Sequence, residues 1–257
     1  MATSTPPERG VKTTYTVVDI IETIHSLEGA SLAELDSHLN YAKSTIHDHL
    51  KTLEATGYVV FEHGEYVLSL KFLHHGVFAR NNKAVSQNGQ IVIEELADRT
   101  GEAVWIIVEE NEEAVYLYNA NGSNAVRTHA EVGRRSNLHH LAAGKQILAY
   151  MDPERVDEII DRTGLDPVTP NTITDRGQLK TELATIRENQ VSYNDQETVN
   201  GVRAIAAPVL NGTELVCAIC VSGPANRMTL ERCEATVKPA LLEATNELEL
   251  RIQYPEG

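Results

Sequence analysis

Residues 41–57, YAKSTIHDHLKTLEATG, constrain the fold most, because they give one short helix two incompatible faces. Ala42, Ile46, Leu50 and Leu53 recur at helical spacing and form an apolar stripe, while Tyr41, Lys43, Ser44, Thr45, His47, Asp48 and Lys51 fall mostly outside it. Gly57 is the expected C-terminal stop. Upstream, Ser31-Leu32-Ala33-Glu34 is a capping-box pattern that opens a second short helix with Leu32, Leu35 and Leu39 inward. Before it, residues 14–27 place Val17, Ile20, Ile21 and Ile24 on one side of a first helix. Downstream, the runs 58–62 and 65–69 flank His63-Gly64 as a β-hairpin. Three helices, the last polar outward, followed by a hairpin describe a winged helix-turn-helix, with residues 41–57 as a DNA-recognition helix.

Charge opposes this reading. The chain carries 22 Lys and Arg against 37 Asp and Glu, a net charge of −15. Residues 1–80 hold six cations against ten carboxylates, so the DNA-binding candidate is itself acidic, whereas phosphate neutralisation normally supplies most non-specific affinity. Adaptation to concentrated salt would reconcile the two, since a carboxylate-rich surface stays hydrated where long-range attraction is screened anyway; eight lysines against 14 arginines fit that view. No apolar run approaches the roughly 20 residues of a membrane span, and the N-terminus lacks an apolar export segment, so a cytoplasmic location is expected. Cys217 and Cys220 lie in a strand-like run that would send them to opposite faces, and the paired histidines do not share a helix face, so no metal site and no cofactor are expected.

After the hairpin, residues 70–79 have helical spacing with Leu70, Leu73 and Val77 on one face and Phe72 beside it, a natural dimer contact. The polar stretch 80–90 holds the domain boundary. We read residues 11–69 as a DNA-binding domain, 70–88 as a linker helix and 89–253 as a second domain. In that domain, helices are expected at 90–99, 141–150, 154–163, 175–189 and 229–252, and strands at 103–109, 114–119, 126–130, 191–193, 202–210 and 215–222. The class is α+β: an antiparallel sheet with helices to one side, compatible with a GAF-like sensor.

The run GRRSNLHHLAAGKQILAY, residues 133–150, resembles the loop-and-helix signature of IclR-family transcriptional regulators. Tyr193-Asn194-Asp195-Gln196-Glu197, the run 201–208 (GVRAIAAP) and 221–224 (VSGP) match the same family, as does Lys43-Ser44-Thr45-Ile46-His47 for its recognition helix. The resemblance spans residues 11–252. It implies transcription control without catalysis, a dimerising linker helix, and an effector pocket at Leu138, Ala142, Ala143, Asn194, Ala204, Cys220 and Ser222. The chain departs from the pattern at Leu141, where a Thr is usual, and at Asp48, where a basic residue is common.

Three functions compete. A ligand-responsive regulator would read a palindromic double-stranded operator with Tyr41, Lys43, Ser44, Thr45, His47 and Lys51, as a homodimer or dimer of dimers. Its effector would be a small organic or sugar acid, held by the open N–H groups at the start of helix 141–150, walled by Leu138, Ala142, Ala204 and Cys220, and hydrogen-bonded by Asn194 and Ser222. A protein-binding regulator would use the winged domain without DNA. An enzyme would have only Cys217, Cys220, His139 and Lys145 to work with, and no base adjoins either thiol in sequence.

Overall fold

A computed structural model describes residues 10–85, 88–126 and 130–254. The chain divides into two compact units, residues 1–80 and 81–257.

The first unit packs α1 (Lys12–Ser26), α2 (Leu32–His38) and α3 (Lys43–Ala55) around Ile20, Ile24, Leu35, Ile46, Leu50 and Leu53. The capping box forms as the sequence indicates: Ser31 N–H donates to Glu34 at 2.8 Å and Glu34 N–H to Ser31 Oγ at 3.3 Å. Strands β1 (Val59–Glu62) and β2 (Glu65–Leu68) pair antiparallel, and Ala30 exchanges two backbone hydrogen bonds with Tyr66, stitching the α1–α2 connection to the hairpin. At the end of α3, Gly57 (φ +76°) lets its own N–H reach Glu54 and that of Tyr58 reach Leu53, a Schellman stop. Helix α4 (Lys71–Asn81) follows and buries none of its residues.

The second unit is built on a six-stranded antiparallel sheet, in the order β5-β4-β3-β8-β7-β6. Its strands are β3 (Ala103–Glu110), β4 (Glu113–Asn121), β5 (Arg135–Asn137), β6 (Ser192–Asp195), β7 (Val202–Asn211) and β8 (Glu214–Pro224). Helices cover both faces, which corrects the one-sided arrangement expected above. Helices α5 (Gly89–Thr100) and α10 (Lys238–Gln253) pack on one face against Val104, Ile106, Ile205, Ile219 and Val221. On the other, α6 (Ala142–Tyr150), α7 (Pro153–Thr163) and α8 (Arg176–Asn189) share a core with Trp105, Ile107, Ala206, Ala218 and Cys220. Burial on both faces explains why β3, β7 and β8 read as continuous apolar runs instead of alternating ones. As their spacing requires, Cys217 and Cys220 fall in opposite cores.

Two further expectations change. β5 occupies part of 133–140, read as loop, while most of the strand expected at 126–130 lies outside the described residues. The C-terminal helix is interrupted: after α9 (Leu230–Arg232), residues Cys233–Val237 are π-helical before α10 resumes. Pro239 stands in the first turn of α10, where it has no N–H to donate backward, and the widened turn accommodates it.

Candidate functional site

The candidate residues gather at two places, one in each unit. In the first, Ile46, Leu50 and Leu53 fix the rotation of α3 by facing the core, which leaves Lys43, Ser44, Thr45, His47, Asp48, Lys51 and Thr52 exposed. Helical phase puts Ser44, Asp48 and Lys51 directly opposite the buried stripe, with Thr45 and His47 on its flanks. Lys51 is held by Glu54 at 3.0 Å. Two assignments change. Ala42 is exposed and stands at the N-cap of α3 instead of in the core stripe. Tyr41 precedes the helix, is half-buried, and donates its hydroxyl to Asp19 of α1, so it braces α3 from behind its polar face. The hairpin offers exposed Phe61 beside Tyr66, with ring centroids 4.7 Å apart, but its tip carries Glu62 and Glu65 and neither Lys nor Arg.

The second site lies where the start of α6 meets the sheet. Strand register aligns Asn194, Ala204 and Ser222 across β6, β7 and β8, and places Cys220 against Trp105 and Ala206 in the next row. Leu138, Ala142 and Ala143 cover this surface from above, so all seven sequence-selected positions lie around the α6–sheet contact. The approach is close: a Cβ on Gly144 would sit 2.0 Å from the Leu138 carbonyl oxygen. No side chain caps α6, whose N-cap is Leu141.

Asn194 is fully occupied. Its amide donates to the His140 carbonyl at 2.6 Å and to Thr198 Oγ1 at 2.7 Å, and accepts from Glu197 N–H at 2.9 Å. It therefore braces the loop before α6 instead of presenting a free polar group. Lys145, which a solvent-facing helix would expose, is buried and paired with Glu197 at 2.6 Å and Glu182 at 3.4 Å. Burial pushes the Glu197 carboxyl upward against the pull of Lys145. His139 and His140 are buried and held neutral, and desolvation takes His140 down to about 4. Burial likewise pushes the Cys220 thiol up to about 12 and that of Cys217 upward, so neither supplies a thiolate near neutrality.

Sequence reasoning passed over three residues here. Trp105 and Tyr116 meet edge to face at 5.2 Å, and neither the indole N–H nor the phenol has a partner among the described residues. Gln146, in the second turn of α6, is fully buried with neither amide atom hydrogen-bonded. The alternation of β3 could have assigned Trp105 to the Cys220 side, but nothing in the primary pattern distinguishes Gln146 from a surface glutamine.

Residues 17–63 match the IclR helix-turn-helix domain, and residues 77–250, more than half of the chain, match the bacterial transcriptional regulator IclR C-terminal family. The chain belongs to the IclR family of transcriptional regulators. It is 30% identical over 250 residues to the probable HTH-type transcriptional regulator ArcR of Halobacterium salinarum, covering 95% of both chains. Its structure is similar to that of the Thermotoga maritima IclR (TM-score 0.78, 25% identity, 95% and 98% coverage). It also shares its fold with an IclR homologue from Microbacterium hydrocarbonoxydans complexed with 4-hydroxybenzoate (TM-score 0.80, 20% identity, 94% and 99% coverage). This IclR-type regulator thus combines a DNA-binding helix-turn-helix with an effector-binding domain and is not an enzyme. Among its described residues no helix is long and apolar enough to cross a membrane.

Proposed function

We propose that this regulator binds a palindromic operator as a homodimer or dimer of dimers and responds to a small organic acid. The observation that carries the reading is the outward face of α3, where Lys43, Ser44, Thr45, His47 and Lys51 stand exposed while the opposite stripe is wholly buried. Lys43 and Lys51 suit phosphate oxygens or guanine edges, and Asp48 accepts only from a cytosine amino group or repels phosphate, so it shapes sequence preference without adding affinity. Tyr41 contributes by positioning α3. Residues 11–69 serve as the DNA-binding domain, 70–88 as the dimerising linker and 89–253 as the sensor.

An anion is favoured at the effector site because α6 begins without a side-chain cap, leaving its positive end and the first-turn N–H groups other than that of Ala143, which meets the Cys220 sulfur, for a ligand. Leu138, Ala142, Ala143, Ala204 and Cys220 form its apolar wall, Ser222 is left to hydrogen-bond it, and Asn194 shapes the site through the His140 carbonyl. The 4-hydroxybenzoate bound by the Microbacterium homologue is an acid of this kind. The acidic surface fits work in a salt-rich cytoplasm.

A shift assay on upstream DNA, with and without candidate acids, tests the scheme. Replacing His47 or Thr45 by Ala should weaken specific binding by about 1–3 kcal/mol while sparing random DNA. An unchanged ratio of operator to random binding in both variants would remove α3 from the reading role.

A further inference from the structure

Gln146 sits where a hydrogen-bonding side chain should be expensive. It is fully buried, and both Nε2 and Oε1 lack a partner among the described residues. An amide stripped of water and left unpaired costs stability on both its donor and acceptor sides, so its presence calls for something that satisfies it. Its direction follows from the helix. Gln146 lies four residues after Ala142 and three after Ala143, on the side of α6 where the Ala142 carbonyl accepts from Ser192 Oγ of β6 at 2.7 Å. The Ala143 N–H meets the Cys220 sulfur on that same side. The sheet surface there is paved with short side chains, Ala204, Ala206 and Ala218, beside the unpartnered indole of Trp105.

We propose that Gln146 is a specificity-determining residue of the effector site and selects acids that carry a hydroxyl group at their uncharged end. The inference rests on the acid-binding reading of the α6 start. A hydroxyl both donates and accepts, so it can answer both ends of the amide. A second carboxylate would answer only the Nε2 side and would lack a cation, since the nearby Lys145 is already shared by Glu197 and Glu182. With a rise of about 1.5 Å per residue, Gln146 lies roughly 6 Å along the axis from the first-turn N–H groups, which sets the spacing between carboxylate and hydroxyl.

Calorimetric titration of the full chain with 4-hydroxybutyrate and with butyrate tests this, because the pair differs by one hydroxyl at about that distance. The native chain should bind the hydroxy acid at least 10-fold more tightly, and Gln146→Leu should bring the two affinities together while still binding butyrate. Apart from any ligand, Gln146→Leu and the near-isosteric Gln146→Met should both melt higher than the native chain. A retained preference in the variants, or a lower melting temperature in both, would overturn the role of Gln146 while leaving the acid site intact. Failure of both acids to bind the native chain would instead remove the acid-binding reading, and this inference with it.

Discussion

Ala42 precedes α3 with extended backbone (φ −63°, ψ 137°), the conformation of an N-cap, yet it has no side chain to accept from the first-turn N–H groups. It is also exposed, so replacing it removes no packing. Ala42→Ser should therefore stabilise the first unit by about 1 kcal/mol, seen as a higher urea midpoint with unchanged slope. His140 makes an opposite kind of prediction. It is buried and neutral, its folded pKa is about 4 against 6.5 for an ordinary imidazole, and it contacts Thr198 and Ser136. Between those values the unfolded chain takes up the additional proton, so this contribution to stability is present above about 6.5 and lost as pH falls towards 4. Urea unfolding at pH 7 and pH 5 should show the loss, and His140→Gln should reduce it. Single polar residues were the least legible feature of the sequence. Tyr41 and Asn194 have the right chemistry for DNA and effector, but the tertiary fold spends their hydrogen bonds on Asp19 and on the His140 carbonyl.

At the scale of elements, the pattern was legible wherever one face alone is buried. The helices of the first unit, the capping box and the Gly57 stop follow directly from spacing and caps. The second unit concealed more, because a sheet covered on both sides loses its two-residue alternation and hides which face each helix takes. β5 is only three residues long, too short for any periodicity to register. Helix α4 shows the same limit in another form. Its apolar positions were legible, but their partners were not: Phe72 meets Tyr58 edge to face at 5.3 Å within its own unit, while Leu73 and Phe78 are 61% and 67% exposed. Leu73 and Phe78 therefore become the dimer-contact candidates, with Phe72 supporting the hairpin. Replacing both Leu73 and Phe78 by Glu should shift the protein to monomer in light scattering without lowering its melting temperature by more than a few degrees, since neither packs in the core. A dimer that persists at micromolar concentration would place the contact elsewhere.

Considered whole, the chain must approach a polyanion while carrying a net charge of −15. The exposed face of α3 limits how it can do so. Lys43 and Lys51 are its only cations, Lys51 is shared with Glu54, and the hairpin tip adds Glu62 and Glu65 instead of a phosphate contact. A dimer would then neutralise about four phosphates through these helices, and counterion release gives a slope of log K against log salt of roughly −0.9 for each, or about −3 to −4 in all. The carboxylates that weaken attraction in dilute buffer are screened as salt rises, because the Debye length shrinks from about 10 Å at 0.1 M to about 3 Å at 1 M. Operator binding should accordingly fall by roughly three to four orders of magnitude for each tenfold rise in salt, a shallower decline than an interface with twice as many phosphate contacts would show, with discrimination carried by base-edge contacts instead of bulk charge. Removing one cation with Lys43→Gln should reduce the slope by about 2 for the dimer, one unit from each protomer. Fluorescence anisotropy on operator DNA across 0.1–2 M potassium chloride measures both quantities. A slope near −8 would show phosphate contacts outside α3 dominating the interface, and an unchanged slope in Lys43→Gln would take that lysine off the backbone.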